Sequence, residues 1–562
     1  TSTSLFDGHD ASINIMRRIM QASGAEIIHL GHNRSVEEIV RAAIQEDAHA
    51  IATSSYQGGH IEFFKYMVDL LKEKGASHIK SFVGGGGTIV PREIKELEEY
   101  GVCRVYSPED GRRLGLQGMI DDLLRESDRP VNTEGVAGKA GELSTGNHLI
   151  VGQYLSAVES TKANAPAGLP AYMKPLEGMR PVKAPVLGIT GTGGAGKSSL
   201  VDELLTRYLN DFEERTIAVL SVDPTRRKTG GALLGDRIRM NALSRDRVYM
   251  RSLATRMGNT EICDALGECI EVVQAAGFDL ILIETAGIGQ GDAAIVPFVD
   301  VSLYVMTAEF GAASQLEKID MIDYADVVAI NKFDRKGAED AMRDVQKQIQ
   351  RNHQLFDAPM DSLPVYGTVA SKFNDDGVTA LYQGLLERLH DKTEAGWLLE
   401  SSLPKLTTKK STSKDSVVPS ERIRYLAEIA ETIRGYHAYG EEQARVADGI
   451  WNLEGALALV DSEPAREAIG AELKALKGKL DKRCEGLIDG FASVREQYSG
   501  EEFVYTVRDK EFRVPLTTRS LSGMQVPKIS LPRYSNGGDI LRWQLRENLP
   551  GSFPFTAGVF PF

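Results

Sequence analysis

The residues best suited to chemistry form one glycine-rich stretch in the middle of the chain. Residues 191–198 read Gly-Thr-Gly-Gly-Ala-Gly-Lys-Ser, after an apolar strand pattern and before a segment of helical periodicity. Glycines let backbone amides converge on phosphate oxygens, and the start of a helix adds partial positive charge. We predict a phosphate-binding loop in which Lys197 reaches the terminal phosphates and Ser198 binds Mg²⁺. The other loop residues assigned to the nucleotide are Gly193, Gly194, Ala195 and Gly196.

Carboxylates follow this loop in the order that a nucleotide-hydrolysing domain requires. Asp223 and Glu284 each end a predicted apolar strand, and Asp236 lies between them in the sequence. Because Mg²⁺ prefers oxygen ligands, we predict that acids from this set share the ion with Ser198. Phosphoryl transfer is accelerated by positioning and charge neutralisation, which we assign to Lys197 and Glu284.

Two further residues near this site have open interpretations. Gln290 lies in a glycine-rich segment, where it either orients the attacking water or is a mobile loop amide. Arg239 either neutralises phosphate charge or is a solvated helix residue. We retain Gln290 as a catalytic candidate and Arg239 as a nucleotide-binding candidate.

A tetrad after the next apolar strand points to the base of the nucleotide. It reads Asn331-Lys332-Phe333-Asp334. A carboxylate at Asp334 can accept two hydrogen bonds from the N1–H and 2-amino groups of guanine, a donor pair that adenine lacks. The tetrad therefore favours GTP over ATP. Ser371 lies in the following loop, where it is expected to contact the base edge.

A second set of candidate ligand-binding residues lies near the beginning of the chain. Each is weak evidence alone, because such residues commonly form helix caps, turns and loops. Together they fall at the carboxyl ends of predicted strands, where doubly wound α/β folds bind ligands. The set consists of Asp7, His9, Ser12, Ser54, Tyr56, Gly85 and Gly86.

Alternating strand and helix patterns must position both sets. They run through residues 1–125 and 184–395 and predict an α/β fold with doubly wound parallel sheets. Residues 419–499 are predicted to be helical, and residues 515–562, rich in proline and glycine, irregular. The predicted domains cover 1–130, 184–398 and 516–562, with a helical linker domain over 399–515 and a linker over 131–183 that includes one docking helix over 146–159.

Composition excludes several classes of partner. The formal net charge of −14 argues against a general nucleic-acid or membrane-surface role. Four scattered cysteines have neither metal-ligand spacing nor the pattern of a disulfide framework, and no apolar run is long enough to span a bilayer. We expect a cytoplasmic protein. Both ends of the chain look cut, so we also expect a fragment of a longer polypeptide.

The central region resembles the GTPases that act as chaperones for cobalamin-dependent acyl-CoA mutases. Their D-P-[ST], T-G-G-x-x-L-G-D-x-x-R-M and E-T-x-G-x-G-Q segments occur here at residues 223–225, 229–240 and 284–290. The resemblance implies that GTP hydrolysis gates or edits cofactor loading and that Arg239 contacts the nucleotide. The residues that it places around magnesium are Asp223, Asp236, Glu284 and Thr285.

The first region resembles the flavodoxin-like cobalamin-binding domain of corrinoid mutases and methionine synthase, with its motif D-x-H-x-x-G…S-x-L…G-G. The resemblance implies that His9 binds cobalt in place of the cofactor's own dimethylbenzimidazole and that Asp7 orients the imidazole. The glycines would leave a slot for the nucleotide tail. Ser12 replaces the family glycine and is small enough to let the tail pass, whereas Tyr56 replaces leucine and would reshape the slot wall.

The last residues resemble the entry to the (β/α)8 substrate barrel of acyl-CoA mutases, P-G-x-x-P-[FY]-T-R-G-x-[YF]. Ala557 replaces the arginine, as in the branch that takes uncharged acyl groups. Phe560 and Phe562 are candidate acyl-CoA contacts, although an aromatic lead-in to a strand explains them equally well.

The order of these regions resembles acyl-CoA mutases that carry a fused G-protein chaperone. It implies a homodimeric, adenosylcobalamin-dependent isomerase that interconverts isobutyryl-CoA and n-butyryl-CoA by radical rearrangement. An alternative is a cobalamin-binding GTPase that serves as cofactor carrier or regulator for a separate mutase. Because most of a barrel is absent from these 562 residues, we expect cobalamin binding and GTP hydrolysis but no mutase activity from this chain alone.

Overall fold

Two units divide the chain in the computed structural model, Thr1–Val417 and Val418–Phe562. No helix among the described residues is both long enough and apolar enough to cross a bilayer. The structure describes all residues except 134, 165–170, 177, 180–182, 227, 257–261, 288–291, 312–315, 317–318, 394, 413–423, 508–509, 521, 550–551 and 556–562.

The first module of the N-terminal unit is a five-stranded parallel sheet with helices on both faces. The strands are β1 (Ser2–Ser4), β3 (Gly31–Arg34), β4 (Ala50–Ser54), β5 (Lys80–Gly84) and β6 (Arg104–Tyr106), in the spatial order β3-β1-β4-β5-β6. The helices are α1 (Ala11–Ala22), α2 (Val36–Gln45), α3 (His60–Glu73), α4 (Pro91–Tyr100) and α5 (Pro108–Ser127). Apolar residues of α2, α3 and α4 cover one face, and those of α1 and α5 cover the other.

The second module is a seven-stranded parallel sheet, so the predicted doubly wound α/β class is confirmed. Along its second strand Val219 packs with one layer of helices, whereas Ala218 and Leu220 pack with the other. The strands are β7 (Val186–Gly191), β8 (Ile217–Asp223), β10 (Val248–Ala254), β11 (Leu280–Thr285), β12 (Val301–Met306), β13 (Val327–Asn331) and β14 (Val365–Thr368). Their spatial order is β10-β8-β11-β7-β12-β13-β14.

Helices enclose this sheet on both faces. They are α6 (His148–Asn164), α7 (Lys197–Asp211), α8 (Leu266–Ala276), α9 (Met321–Tyr324), α10 (Ala338–Asn352) and α11 (Asp376–Thr393). Helix α6 confirms the docking helix predicted within the linker over 131–183. Its residues Val151, Leu155 and Val158 are completely buried in the same apolar cluster as Leu220 and Phe278, so this helix is part of the core of the second module.

A short parallel ribbon joins the two modules. Strand β2 (Glu26–Ile28) lies outside the five-stranded sheet. It pairs instead with β9 (Ala232–Leu234) of the second module, with Glu26 opposite Ala232 and Ile28 opposite Leu234. The strand that pairs with β1 is β3, because the chain turns at Gly31 with φ of 84° and continues as a second short strand.

The C-terminal unit is mostly helical, as predicted over residues 419–499. Its elements are α12 (Tyr425–Leu459), α13 (Glu463–Lys477), α14 (Lys482–Gln497), α15 (Gly537–Arg546) and the antiparallel pairs β15 (Glu502–Val507) with β16 (Lys510–Pro515) and β17 (Thr517–Arg519) with β18 (Gln525–Pro527).

The prediction that residues 515–562 are irregular is wrong over α15. Asn536 caps this helix by accepting a hydrogen bond from the Gly538 amide at 2.9 Å. Leu541 and Leu545 are buried in a cluster with Ala444 of α12, and this burial stabilises the helix despite the surrounding glycines and prolines. The predicted barrel start over 516–562 stays a prediction.

Candidate functional site

The glycine-rich loop lies between the carboxyl end of β7 and the start of α7. Gly191 and Gly196 have φ of 146° and 91°, both in the region that favours glycine. A Cβ on Gly191 would lie 1.9 Å from the Val305 carbonyl oxygen, and one on Gly196 would lie 2.6 Å from the side-chain nitrogen of Asn331. These close approaches exclude any larger residue and bring the loop backbone against the helix start, the usual geometry of an anion-binding site.

Two ammonium groups approach this loop. Lys197 is the first residue of α7 and is buried, and its Nζ donates to the carbonyl oxygens of Gly191 at 3.0 Å and Thr192 at 3.3 Å. Lys332 Nζ donates to the Gly194 carbonyl oxygen at 2.7 Å. The loop therefore concentrates backbone donors and positive charge, which suits a polyphosphate.

Oxygen donors fit for Mg²⁺ gather at the carboxyl ends of β8 and β11. Ser198 Oγ donates to Glu284 Oε1 at 2.9 Å, and Glu284 is only 2% exposed. Asp223 ends the neighbouring strand, where the register sets Val222 opposite Thr285. A hydroxyl and carboxylates from adjacent strand ends are the hard oxygen ligands that Mg²⁺ takes, so the donor set fits this ion.

The structure describes the side chains of two of the four remaining residues predicted for this site. Thr285 is buried, and its hydroxyl donates to Thr190 Oγ1 at 2.9 Å, which ties the end of β11 to β7. Arg239 is exposed at the end of a single 3-10 turn that begins at Asp236. The side chain of Asp236 and the whole of Gln290 lie outside the described residues.

The predicted base-recognition residues have two different roles. Asp334 and Ser371 are exposed, as a base contact requires. Asn331 is buried, and its Nδ2 donates to the Ala195 carbonyl oxygen at 2.8 Å while its Oδ1 accepts from the Ala370 amide at 3.1 Å. Asn331 therefore holds the phosphate loop and the base loop together, and its contact with the nucleotide stays a prediction.

The cobalamin candidates begin with a buried carboxylate and an exposed imidazole. Asp7 has no exposed side-chain surface, whereas the His9 side chain is 76% exposed. Asp7 Oδ1 accepts from His9 Nδ1 at 2.8 Å and from the His9 amide at 2.9 Å, and Oδ2 accepts from the Tyr56 amide at 2.7 Å. Burial opposes ionisation of Asp7, but these hydrogen bonds outweigh it and lower the pKa of the carboxyl. The ionised carboxylate fixes the ring proton on Nδ1 and leaves Nε2 available as a ligand.

A cavity of about 230 Å³ opens beside this pair. A Cβ on Gly85 would lie 2.4 Å from the Ser55 carbonyl oxygen, and one on Gly86 would lie 2.9 Å from the Tyr56 ring. Ser54 Oγ is buried without a hydrogen-bond partner in the described part of the chain, so it can bond a ligand in the cavity. The walls include Ser12, Ser54, Tyr56, Gly85, Gly86, Phe82 and Tyr106. Small residues, aromatic walls and one buried polar atom fit a flat heteroaromatic tail.

The two positions that depart from the cobalamin motif meet in this wall. Tyr56 Oη donates to Ser12 Oγ at 3.4 Å, and the Tyr56 ring centroid lies 5.5 Å from that of His9. The tyrosine therefore closes one side of the cavity against α1. Sequence reasoning missed Ser55, which is fully buried and accepts a hydrogen bond from Ser4 Oγ at 2.8 Å. Only its position directly after a strand could have indicated that it joins β1 to the ligand loop.

Both modules match known protein families. Residues 1–112 match the B12-binding domain, and residues 152–415 match the methylmalonyl-CoA mutase-associated GTPase MeaB. With the geometry above, these matches define the N-terminal unit as a B12-binding domain joined to a P-loop GTPase.

Individual relatives extend these matches along the chain. It is 55% identical over 570 residues to the fused isobutyryl-CoA mutase of Geobacillus kaustophilus, with 100% of this chain and 52% of that protein covered. The fused isobutyryl-CoA mutase of Cupriavidus metallidurans is 53% identical over 568 residues, with 100% and 51% covered. A putative GTPase of Pyrococcus horikoshii is 31% identical over 292 residues, which are 52% of this chain and 89% of that protein.

The chain belongs to the MeaB-type GTPases and carries a B12-binding domain ahead of the GTPase. Over its whole length it is similar to fused isobutyryl-CoA mutases. It spans about half the length of the curated fused mutases that it matches.

Proposed function

We propose that this chain is the cofactor-handling half of an adenosylcobalamin-dependent mutase that interconverts isobutyryl-CoA and n-butyryl-CoA. The observation that carries the proposal is the exposed His9 imidazole, held by buried Asp7 beside a cavity and in the same unit as a phosphate loop. The similarity to fused isobutyryl-CoA mutases over the whole chain supports the choice of reaction.

In this proposal the first module holds the cofactor. His9 Nε2 would hold cobalt, Asp7 fixes the orientation of the imidazole, and the cavity under Gly85 would take the nucleotide tail. When bound, adenosylcobalamin would supply the radical chemistry of the rearrangement. Ser54 contributes a hydrogen bond to the tail, and Tyr56 sets the width of the slot.

The second module hydrolyses GTP to gate or edit cofactor loading. Lys197 leaves its carbonyl partners to neutralise the terminal phosphates, and Ser198 and Glu284 hold Mg²⁺ with Asp223, Asp236 and Thr285 around it. Asp334 and Ser371 read guanine, and Gln290 and Arg239 complete the nucleotide site from the segments that change with nucleotide state.

Three further parts of the proposal concern the whole protein. The acyl-CoA substrate binds to a barrel that follows this chain. There it is contacted by Phe560 and Phe562, which lie outside the described residues. The native protein is a cytoplasmic homodimer. Light scattering of the full-length protein measures the dimer, and acyl-CoA turnover by full-length protein and by this chain separates the barrel's contribution from that of the cofactor half.

Spectral titration tests the cofactor site. Wild-type chain mixed with adenosylcobalamin should give the visible spectrum of imidazole-ligated, base-displaced cofactor, and His9→Ala should not. Asp10→Asn is the matched control, because Asp10 lies one residue from His9 and its carboxylate bonds only Asn14 among the contacts in the described structure. An identical spectrum for wild type and His9→Ala would remove His9 as the axial ligand.

Loading kinetics test the GTPase role. Cofactor is transferred from a donor adenosyltransferase, or released to a scavenger, in the presence of GTP, GDP and a non-hydrolysable GTP analogue. Different rates or extents with GTP and the analogue support gating by hydrolysis. Equal rates and equal extents with GTP and the analogue contradict it, even if GTP is hydrolysed.

A further inference from the structure

The ribbon between the two modules places the segment around Asp236 in direct contact with the cobalamin module. Strand β9 pairs with β2 in parallel register, and the 3-10 turn Asp236–Arg239 follows two residues after β9. The pairing attaches the backbone of this segment to the first module, while Ala232 and Leu234 also pack against Ala254 of its own sheet. A segment held in this way moves only if the cobalamin module moves with it or the ribbon opens.

Arg237, directly after Asp236, reaches into the first module. Its Nη1 donates to Gln45 Oε1 at 2.8 Å, its Nε donates to Glu46 Oε1 at 3.2 Å, and its Nη2 donates to the Met250 carbonyl oxygen at 2.7 Å. The arginine is 6% exposed. All three guanidinium nitrogens are therefore bonded in a site without solvent, and two of the three bonds end in the cobalamin module.

Glu46 at the end of α2 is the centre of this contact. Its side chain is 2% exposed and lies 3.1 Å from Arg237 Nη2. Its oxygens also accept from the Ser252 amide at 3.0 Å and the Ser252 hydroxyl at 2.9 Å. One carboxylate of the first module thus binds both the Asp236 segment and β10 of the GTPase sheet. Removing one member of such a buried pair leaves a charge without compensation.

We propose that Glu46 is a positioning residue for GTP hydrolysis: through Arg237 it fixes the backbone at Asp236 and so completes the magnesium side of the GTPase from within the cobalamin module. The inference rests on the proposed function, in which Asp236 lies beside Mg²⁺. Adjacent Cα atoms are about 3.8 Å apart, so an anchored Arg237 leaves Asp236 little freedom. Coupling between two sites is reciprocal, so the nucleotide state of the GTPase influences helix α2 through the Glu46–Arg237 pair.

Kinetics of GTP hydrolysis by the whole chain test this role. Glu46→Gln and Arg237→Met should each lower kcat by about tenfold and raise the Mg²⁺ concentration that gives the half-maximal rate. Loss of a contact that supports a metal ligand has effects of this size. GTP affinity, measured with a fluorescent analogue without turnover, should stay within about threefold of wild type, because neither residue touches the phosphate loop. The double variant should be no slower than the slower single variant.

Glu159→Gln is the matched control. Glu159 is equally buried and pairs with Arg251 at 2.6 Å, but it forms no hydrogen bond or ion pair with residues 225–239 in the described structure. Its loss should lower the melting temperature and leave the Mg²⁺ dependence unchanged. If Glu46→Gln does not fold, Arg237→Lys keeps the charge, loses the planar fork and gives the same measurement.

The outcomes separate the inference from the function on which it rests. A wild-type chain without Mg²⁺-dependent GTP hydrolysis would overturn the proposed function. A wild-type chain that hydrolyses GTP, with the Mg²⁺ requirement unchanged in Glu46→Gln and Arg237→Lys, would overturn only the positioning role. Equal loss of kcat in the Glu46 variant and the Glu159 control would do the same, since it would reflect stability alone.

Discussion

The carboxylate of Asp7 accepts a hydrogen bond from the His9 ring nitrogen Nδ1 at 2.8 Å. The Asp7 side chain has no exposed surface, whereas the His9 side chain is mostly exposed. The second carboxylate oxygen is engaged by the Tyr56 amide, so Asp7 cannot rotate away without losing two backbone hydrogen bonds. The tautomer and the orientation of the His9 ring are thus fixed before any cofactor binds. Such pre-organisation reduces the entropy cost of binding.

Asp7→Asn should weaken cobalamin binding through His9. The amide can present its NH₂ group to Nδ1, which favours the ring tautomer with the proton on Nε2 and removes the ligand lone pair. We expect affinity to fall by at least about tenfold, the range seen when the partner of a metal-binding histidine is lost. Spectral titration of wild type, Asp7→Asn and the neighbouring Asp10→Asn measures the effect. Equal affinity in all three would show that Asp7 only stabilises the loop.

Gly85→Ala should narrow the cavity. The added Cβ would lie 2.4 Å from the Ser55 carbonyl oxygen and 2.9 Å from Ile89 Cγ1, so backbone or side chain must shift. Overpacking of this kind costs about 1–3 kcal/mol, and we expect it to appear as weaker binding of the nucleotide tail. Cobinamide, which lacks the tail, should bind both proteins equally well.

Gly87→Ala is the control for this change, because a Cβ there meets no atom within 4 Å. Its affinity for cobalamin should equal that of wild type. Loss of cobinamide binding in Gly85→Ala would mean that the substitution damages the His9 region rather than the slot.

Asp334→Asn should change the base that the GTPase accepts. The carboxylate is exposed at the predicted base site, and replacing it removes two charge-assisted hydrogen bonds to guanine, a loss of about 3 kcal/mol or roughly 100-fold in GTP affinity. Asparagine can instead donate to the 2-oxo group of xanthine. We expect hydrolysis of xanthosine triphosphate to rise as that of GTP falls. A parallel loss of both activities would indicate that Asp334 supports the fold of the loop.

The sequence could predict what depends on local pattern. The phosphate loop, the alternating strands and the Asp7–His9 pair each depend on spacing within a short segment, and the structure contains all three. Asn331 shows the limit. Its tetrad predicts contact with a nucleotide, and the structure adds hydrogen bonds to Ala195 and Ala370 through which it also braces two loops. Predicting that second role requires knowing which loops lie side by side in the fold.

The joint between the modules could not be predicted from pattern. Strand β2 has an apolar pattern that fits any sheet, and nothing local indicates that it pairs with β9 about 200 residues later, as the register of Glu26 with Ala232 shows. Arg237 likewise follows a predicted magnesium residue and is indistinguishable in sequence from a surface arginine. Its partner Glu46 becomes visible only when the two modules are in contact.

His148 makes this joint sensitive to acid. Its Nδ1 lies 3.1 Å from Gln45 Nε2, and because Gln45 Oε1 accepts from Arg237, the amide nitrogen must donate and the ring must accept. Burial, together with the charge of Arg41, lowers the pKa of His148 from 6.5 to about 4. Between these pH values the unfolded chain binds a proton that the folded chain does not, so the free energy of unfolding falls as pH falls, by about 1.4 kcal/mol per pH unit.

His148→Gln removes this contribution. The melting temperature of wild type should therefore drop more steeply than that of His148→Gln from pH 6.5 to pH 4.5, while the two change in parallel above pH 8, where the residue is neutral in both states. Parallel melting curves across the whole range would show that the buried ring takes up its proton without cost.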